Sequence, residues 1–492
     1  MNKYFVLSLF LFLNIQCAFF VKEKVSLDPK EKLIAEINAL VEDPVLDNAY
    51  IGIYIESLTD SSVLYDLNKY DLFIPASNEK LYTSAVALEK LTPDFRYTTD
   101  FFVTGDVSDS VLSGNLVIRG SGDPSISGRF YDDDVLKLFN DWADSLTKKG
   151  ITKINGNLIG DESYFSDYKL GEGWNWDDEP FYYSAQISAL SFNENVVDLD
   201  VWAADSIGDS VAVKMIPPTD YISLTNNAKV IHPDSSSDID VWRLRGQNVA
   251  ELNGGLKKDS RDTISVTVED PANWFINVFA EVLKSKGIEL DGELKTAVKY
   301  DSLVYQQSKL LFRHHSPPLR DIIAVVNKKS NNFYAEQVFK TIGAEIKGDG
   351  SAEAGSDVIK EWLEEIGITG KYAYPVDGSG LSRMNLVSPL ATAAVLRKMY
   401  FSKFYNDFYQ SLPIAGVDGT LKRRMKDSPA VGIVRAKTGF VRHARNLSGY
   451  TTDRDGNVYL FVILVNNYRV KTSYINNFQD KIAILLTSFS PQ

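Results

Sequence analysis

Three short motifs place three hydroxyls, two amines and an amide in a fixed order along the chain. They are an S-x-x-K, an S-x-N and a K-T-G motif, at Ser77-Asn78-Glu79-Lys80, Ser330-Asn331-Asn332 and Lys437-Thr438-Gly439. A serine hydroxyl is a weak nucleophile until a base takes its proton, and a lysine amine can be that base once it is neutral. Together the motifs predict acyl transfer through a serine ester.

The spacing of the first motif brings its two reactive groups together. Residues three apart at the start of a helix share a face, so Lys80 can reach the Ser77 hydroxyl. Burial or a second cation must lower the pKa of Lys80 before it can act as a base, and Lys437 is the candidate cation. We expect Ser330 to relay the proton to the leaving group and Asn332 to hold the substrate backbone.

Each motif alone is weak evidence, because short motifs recur by chance. S-x-x-K also occurs at residues 145–148 and 166–169, and S-x-N at residues 113–115. For a lone S-x-x-K, an ordinary surface helix is the simpler explanation. The joint match is more specific, since Ser77 follows a strand pattern and opens a helix pattern, and Ser330 lies at the start of a helix pattern. Lys437 is expected on a strand before a hairpin, next to the apolar strand pattern Val431 to Ala436.

The elements that must position these motifs suggest a discontinuous domain. Alternating apolar residues predict a strand over residues 50–58, and helical spacing predicts a helix over residues 78–91. Short strand patterns broken by Gly, Asp, Asn and Pro fill the region from about 97 to 310, and helices and strands return after it. We therefore expect a domain made of residues 22–96 and 311–492, interrupted by an insert over residues 97–310.

Composition narrows the function classes. The chain has 492 residues, 44% of them hydrophobic, and a net charge of −13 from 65 acidic and 52 basic residues. This acidic balance argues against a nucleic-acid partner. Four histidines without an H-E-x-x-H motif, and one cysteine, point to no metal or organic cofactor.

The N-terminus resembles an export signal. Lys3 precedes the apolar stretch Tyr4 to Leu13, which is too short to cross a bilayer. We expect a signal peptide over residues 1–18, an exported periplasmic protein and no transmembrane anchor. Cys17 would be the lipid-accepting residue of a lipoprotein, but Asn14-Ile15-Gln16 departs from the usual small-residue box, so lipid anchoring is the less favoured alternative.

Beyond the motifs, the sequence resembles the D-alanyl-D-alanine carboxypeptidase/endopeptidase class of penicillin-binding proteins, peptidase family S13. The resemblance covers nearly the whole mature chain. It rests on the three motifs and on further family-like stretches, at residues 316–319, 330–336, 377–383 and 412–421 in the outer segments, and at residues 120–124, 217–221 and 268–271 in the insert.

The resemblance implies an α/β (α+β) fold. Its core is a penicillin-binding, serine β-lactamase-like domain, an antiparallel sheet flanked by helices, interrupted by a large β-rich two-domain insert. The 253 residues between Ser77 and Ser330 (330 − 77) fit such an insert and disfavour a simple β-lactamase.

The resemblance also implies roles for individual residues. Catalysis would use Ser77 as nucleophile, Lys80 as base and Ser330 in the relay. In substrate binding, Lys437 and Thr438 would bind the terminal carboxylate of the substrate, next to Asn332 and Gly439. The backbone N–H groups of Ser77 and Phe440 would form the oxyanion hole, and Asp161 with Arg383 would bind a diamino acid of the stem peptide. Phe440 departs from the hydroxyl residue that many relatives have there, and Arg435, Arg442 and Arg445 are the candidates for a compensating charge.

The expected function is a serine-type D-Ala-D-Ala carboxypeptidase, with D,D-endopeptidase action in addition. Its partners would be peptidoglycan stem peptides, with β-lactam antibiotics as covalent inhibitors. Two alternatives stay open at this point. One is a β-lactamase or esterase on the same core, and the other is a catalytically idle scaffold that binds β-lactams or muropeptides.

Overall fold

The computed structural model describes residues 28–166, 168–299 and 301–491. The signal peptide and the anchoring cysteine expected before residue 19 lie outside these ranges. The described α-helices are α1 (Pro29–Val41), α2 (Glu79–Lys90), α3 (Lys137–Lys148), α4 (Pro271–Ser285), α5 (Ser302–Gln306), α6 (Leu319–Lys328), α7 (Asn332–Lys347), α8 (Ala352–Glu365), α9 (Pro389–Tyr400), α10 (Tyr405–Ser411) and α11 (Thr472–Ser488). No helix within the described ranges is both long and apolar enough to cross a membrane.

Short β-strands alternate with these helices. The described strands are β1 (Tyr50–Ser57), β2 (Val63–Leu67), β3 (Thr98–Val103), β4 (Asp106–Ser108), β5 (Val111–Ser113), β6 (Leu116–Gly120), β7 (Lys153–Ile154), β8 (Leu158–Asp161), β9 (Val196–Trp202), β10 (Ala212–Ile216), β11 (Ser223–Asn226), β12 (Lys229–Ile231), β13 (Asp240–Arg243), β14 (Val249–Asn253), β15 (Gly255–Lys257), β16 (Arg261–Thr267), β17 (Glu289–Leu290), β18 (Leu294–Ala297), β19 (Lys309–His315), β20 (Ala373–Tyr374), β21 (Leu386–Val387), β22 (Arg435–Val441), β23 (Ala444–Thr452) and β24 (Val458–Asn466).

The two ends of the chain build one antiparallel sheet. Its strand order is β2-β1-β24-β23-β22, and β1 pairs with β24 from Tyr50 opposite Asn466 to Ser57 opposite Tyr459. Strand β24 is apolar along its length because both of its faces are covered. Leu460, Val462 and Leu464 face the core that contains α2, α6, α7 and α9, whereas the alternate residues of β24 face α1 and α11. Strand β22 lies at an open edge of this sheet.

Strand β22 begins later than the sequence suggested. Residues 431–434 form a turn, in which the Val434 N–H donates to the Ala430 carbonyl at 3.1 Å and Gly432 has a φ of +76°. The strand therefore starts at Arg435 and ends at Val441, not at the expected bounds 431 and 436, and Lys437 lies on it before a hairpin, as expected.

The region between the two outer segments forms its own sheets. A five-stranded sheet has the order β18-β8-β6-β3-β19 and a four-stranded sheet the order β17-β7-β5-β4. Helices α3 and α4 and smaller sheets pack with them in one continuous hydrophobic cluster. Strand β19 pairs with β3, with His315 opposite Thr98, so residues 311–315 belong to the inserted sheet and not to the second outer segment. The division of the insert into two domains stays a prediction.

One loop of the insert, residues 162–195, packs directly against the second motif and α7. Asn332 Nδ2 donates to the Tyr183 carbonyl at 2.8 Å, and Gln337 Nε2 donates to the Ser188 carbonyl at 2.9 Å. Asn331 Nδ2 donates to Glu194 Oε2 at 2.6 Å. The insert thus supplies one wall of the region where the motifs meet.

Candidate active site

The turn before α2 presents Ser77. A 3-10 turn over Ala76–Asn78 leads into the helix, and Ala76 has a φ of +46°, an unfavourable value for a residue with a Cβ. Gly380 presses against this turn so closely that a Cβ at its position would lie 1.8 Å from the Ala76 carbonyl oxygen. Ser77 itself is half-buried, whereas the three residues after it are fully buried. The strained turn leaves the hydroxyl accessible at the end of a buried helix.

Lys80 is fully buried and its amine is directed at the serine. Its Nζ lies 3.0 Å from Ser77 Oγ, 2.7 Å from Asn332 Oδ1 and 2.6 Å from the Ser379 carbonyl oxygen. Burial lowers the pKa of Lys80 to about 7, although the carboxyl groups of Asp377, Glu336 and Glu79 act in the opposite direction. Of the two causes considered from the sequence, burial is therefore the one that lowers this pKa.

Behind Lys80 lies a layer of three buried acidic side chains, Glu79, Glu336 and Asp377. Glu336 accepts the N–H groups of Gly378 and Ser379, at 3.2 and 2.8 Å. Both carboxyl oxygens of Glu79 lack a hydrogen-bond partner within the described part of the chain. Burial, and next the neighbouring carboxyl of Asp377, raise the pKa of Glu79 well above its ordinary value.

Asp377 organises the loop of residues 377–383, here called the Gly-rich loop, which closes over α2. Its carboxylate accepts the N–H groups of Gly380 and Ser382 at 2.7 Å each, and the Trp174 indole N–H at 2.9 Å. The sequence singled out the loop but not the acidic layer. The sequence signal for this layer was an acidic residue in each of two motif stretches. Glu79 lies within S-x-x-K, and Glu336 lies six residues after Ser330.

The second motif lies opposite Lys80. Ser330 has a φ of +55°, and Asn331 caps α7 by accepting the Tyr334 N–H at 2.9 Å. The Ser330 hydroxyl accepts from Lys437 Nζ at 2.7 Å. The relay expected from the sequence linked Ser330 to Lys80, whereas the described hydrogen bond links it to Lys437.

The lysine of the third motif is as buried as Lys80. Lys437 Nζ donates to Ser330 Oγ and, at 2.8 Å, to the Thr438 carbonyl. Burial lowers its pKa well below the ordinary value, and the positive charges of Lys80 and Arg445 lower it further. The three motifs, 360 residues apart at their extremes (437 − 77), therefore converge through the pairs Lys80–Ser77, Lys80–Asn332 and Lys437–Ser330.

The edge of the sheet offers a backbone donor at Phe440. The hairpin between β22 and β23 closes at the pair Val441–Ala444, so the next pair, Phe440–Arg445, is of the non-hydrogen-bonded type. In such a pair the backbone N–H points away from the partner strand, here toward the open edge. Gly439 fits beside the serine turn because a Cβ there would lie 2.6 Å from the Pro75 carbonyl oxygen.

A cleft of about 920 Å³ opens above these groups. Ser77, Ser330, Asn332, Thr438, Phe440 and Arg383 line it, as do the insert residues Asn175, Asp177, Asp178, Tyr182 and Tyr183. Thr438 Oγ1 donates to Thr420 Oγ1 at 2.8 Å. Arg383 Nη2 donates to the Arg442 carbonyl at 2.8 Å and leaves the rest of its guanidinium exposed.

Asp161 does not line this cleft, contrary to the expectation from the sequence. It is 2% exposed, accepts a hydrogen bond from the Tyr305 hydroxyl and lies 3.7 Å from Arg119. Its carboxylate is committed within the insert and is not available to a substrate. The insert carboxylates that do face the cleft are Asp177 and Asp178, which follow Trp176 in the loop of residues 162–195.

The three candidate arginines differ in position. Arg435 points away from the cleft, with its guanidinium 4.6 Å from the Tyr409 ring centroid and a hydrogen bond to Gln410. Arg442 and Arg445 both line the cleft. Within the described ranges, no group of three or more His, Cys, Asp and Glu side chains is arranged to hold a metal ion.

Comparisons with known proteins agree with this geometry. Residues 33–489 match the model of the D-Ala-D-Ala carboxypeptidase 3 (S13) family. The chain is 31% identical over 472 residues to a D-alanyl-D-alanine carboxypeptidase of Actinomadura sp. (strain R39), covering 93% of this chain and 85% of that protein. It is 27% identical to the penicillin-sensitive carboxypeptidase A of Dictyostelium discoideum, covering 99% of both chains.

A solved structure shows the same architecture. The crystal structure of penicillin binding protein 4 from Haemophilus influenzae superimposes with a TM-score of 0.80 at 26% identity, covering 92% of this chain and 99% of that chain. The fold class expected from the sequence, a penicillin-binding domain with a large insert, is thereby confirmed.

Proposed function

The chain belongs to the D-Ala-D-Ala carboxypeptidase 3 (S13) family, as its motifs predicted, and we propose that Ser77 is the nucleophile with which it cleaves peptidoglycan stem peptides. The protein is a serine-type D-Ala-D-Ala carboxypeptidase. The observation that carries the proposed role of Ser77 is the contact of its Oγ with Lys80 Nζ at 3.0 Å. A fully buried amine with a pKa of about 7 is neutral often enough at neutral pH to accept the serine proton.

The reaction then has two halves. Ser77 Oγ attacks the carbonyl carbon between the two terminal D-Ala residues, while its proton passes to Lys80. The backbone N–H groups of Ser77 and Phe440 stabilise the oxyanion. The C–N bond breaks as Ser330 gives its hydroxyl proton to the leaving amine and takes a proton from Lys437 Nζ, which donates to it, and D-Ala departs. Water then attacks the ester and passes a proton through Ser330 to Lys437. The acyl peptide leaves as Lys80 returns its proton to Ser77 Oγ.

We propose endopeptidase action as a second activity of the same site. The cleft is open along the edge of β22, so a leaving amine that carries a longer peptide can be accommodated. Arg383 offers an exposed guanidinium, and Asp177 with Asp178 offer carboxylates across the cleft. These charges suit the carboxylate and the ammonium of a zwitterionic diamino acid, the role first expected of Asp161 with Arg383.

The cellular location follows from the substrate and the N-terminus. Peptidoglycan stem peptides lie outside the cytoplasm, and the sequence before residue 19 has the charged and apolar regions of a signal peptide. Export to the periplasm is therefore part of the proposal, with β-lactams as covalent inhibitors. Attachment to the membrane through a lipid on Cys17 is the less favoured alternative.

The test is intact-mass spectrometry of the mature protein after exposure to benzylpenicillin. The variants are Ser77→Ala and, as a matched control, Ser145→Ala, which removes the serine of another S-x-x-K sequence on α3. A stable adduct on the parent and on Ser145→Ala, absent from Ser77→Ala, supports the proposal.

Three other outcomes would contradict it. An adduct that persists in Ser77→Ala would show a different nucleophile. No adduct with intact drug would favour the idle scaffold, and no adduct with rapidly hydrolysed drug would favour a β-lactamase. Release of D-Ala from a synthetic stem pentapeptide, followed by chromatography, then measures the carboxypeptidase step directly.

A further inference from the structure

Arg445 carries a guanidinium at the cleft that has no carboxylate partner among the residues the structure describes. It lies on β23, opposite Phe440, and lines the cleft beside Thr438 and Thr420. In the part of the chain that the structure describes, no Asp or Glu lies within 4.0 Å of it, whereas its neighbour Arg424 pairs with Asp480 at 2.7 Å. A half-buried positive charge without an anion beside it is left uncompensated.

The side chain is held in place from the side away from the cleft. Its Nε donates to Asn476 Oδ1 at 2.6 Å, and Gln479 Nε2 donates to the Arg445 carbonyl at 2.9 Å, both from α11. The Phe440 ring lies 5.7 Å from its guanidinium carbon. The two terminal nitrogens have no hydrogen-bond partner among the described residues. The group is therefore preorganised, with two parallel donors left for a ligand.

The pairing of β22 with β23 places the Arg445 guanidinium beside the proposed position of the scissile bond. Because side chains alternate between faces of a strand, Thr438 and Phe440 share a face, and Arg445 lies on that face directly across from Phe440. In the proposed mechanism the Phe440 backbone N–H binds the oxygen of the reacting carbonyl. A carboxylate one residue beyond that carbonyl is then expected on the side of the cleft that Arg445 lines.

Lys437 is poorly placed to neutralise such a carboxylate alone. Its amine is fully buried and already donates to Ser330 and to the Thr438 carbonyl. Arg435 points away, and the exposed side chain of Arg442 has no hydrogen bond or ion pair with any residue in the described ranges. Arg445 alone among the three arginines combines exposure to the cleft with a fixed orientation.

We infer that Arg445 binds the C-terminal carboxylate of the substrate peptide, in place of the hydroxyl side chain that Phe440 lacks. This inference rests on the proposed function and names the group through which the site selects a free C-terminus. A planar guanidinium and a carboxylate form two parallel hydrogen bonds, which favours the acid over any neutral end.

The test compares two substrates in purified full-length protein. One is diacetyl-L-Lys-D-Ala-D-Ala and the other is its C-terminal carboxamide, which lacks the negative charge. The variants are Arg445→Gln, Arg445→Lys, Arg442→Gln and, as matched control, Arg435→Gln. The parent and Arg435→Gln should prefer the acid in kcat/KM by about 10- to 100-fold.

In Arg445→Gln this preference should collapse toward unity, because turnover of the acid falls while turnover of the carboxamide changes less than about threefold. Arg445→Lys should restore part of the preference. The carboxamide serves as an internal control for folding. A merely structural role of Arg445 would lower kcat/KM equally for both substrates and leave the ratio of the two values unchanged.

An unchanged ratio in an active Arg445→Gln enzyme would overturn the inference and leave the proposed function standing. A collapse in Arg442→Gln but not in Arg445→Gln would assign the carboxylate to Arg442 instead. If the parent cleaves neither substrate, the proposed function fails, and this inference fails with it.

Discussion

The site contains two buried lysines whose surroundings have opposite charge. Lys80 lies against three acidic side chains from α2, α7 and the Gly-rich loop, whereas Lys437 lies on the edge strand near Lys80 and Arg445. Both amines are fully buried. Burial lowers both pKa values, but the carboxyl groups limit the effect at Lys80 and the neighbouring cations increase it at Lys437.

The comparison shows that neighbours, more than burial, give the two lysines different tasks. Lys80 has a pKa near neutrality and a hydroxyl at 3.0 Å, which suits a base that gains and loses a proton in each cycle. The Lys437 amine donates hydrogen bonds to Ser330 and to the Thr438 carbonyl, which suits a donor that keeps one position throughout the cycle. Three predictions test this difference.

The largest effect is expected from Lys80→Met. Removing the base should lower the rate of acylation by benzylpenicillin by about 10²- to 10⁴-fold, measured by intact mass over time. Lys340→Met is the matched control, because Lys340 is also buried but donates to the Tyr168 carbonyl at 3.0 Å, outside the cleft. Equal losses in both variants would show that the cause is lost stability and not lost chemistry.

A smaller effect on the rate of acylation is expected from a change of pH. Lys80 is protonated below its pKa and neutral above it, so acylation should become faster as pH rises through about 7. A single group with that pKa gives about a tenfold increase between pH 6 and pH 8. Stopped-flow measurement with a chromogenic cephalosporin records the profile, while circular dichroism confirms that the fold is constant. A flat or falling profile would contradict the assignment of Lys80 as the base.

The smallest effect is expected from Glu79→Gln. Burial and the carboxyls of Asp377 and Glu336 raise the pKa of Glu79 well above its ordinary value and so favour its neutral form, and a neutral amide of similar shape should change acylation less than about threefold. Asp377→Asn is the contrasting variant, because its carboxylate accepts several hydrogen bonds. It should lose about 1.5–3 kcal/mol of stability for each bond to a charged group, measured by urea unfolding. A large loss of acylation in Glu79→Gln would show that Glu79 carries a charge.

The sequence was a good guide where function depends on short motifs. Ser77 and Lys80 are three residues apart, so their contact follows from helix geometry alone. The pairing of Lys437 with Ser330 and the acidic layer around Lys80 depend on how distant elements pack, which spacing does not encode. Asp161 was misplaced for the same reason, because its family-like stretch does not reveal that Tyr305 and Arg119 occupy its carboxylate.

The fold shows a similar division. The apolar pattern of β24 and the helical pattern of α2 were readable because burial imposes them locally. The start of β22 was not, because residues 431–434 form a turn in which Val434 packs into the core while Val431 and Ile433 are exposed. The strand that ends the insert was also assigned partly to the wrong segment, since only its pairing with β3 reveals where it belongs.

The hydrogen bond from Asn332 to the Tyr183 carbonyl, and that from Trp174 to Asp377, place the insert inside the catalytic unit. A minimal enzyme made by excising the insert would lose the acceptor that orients Asn332 and a donor that holds the Gly-rich loop. It would also lose the wall that Tyr182 and Tyr183 form in the cleft, so inhibitors whose side chains contact this wall would bind the complete enzyme more tightly than the shortened one.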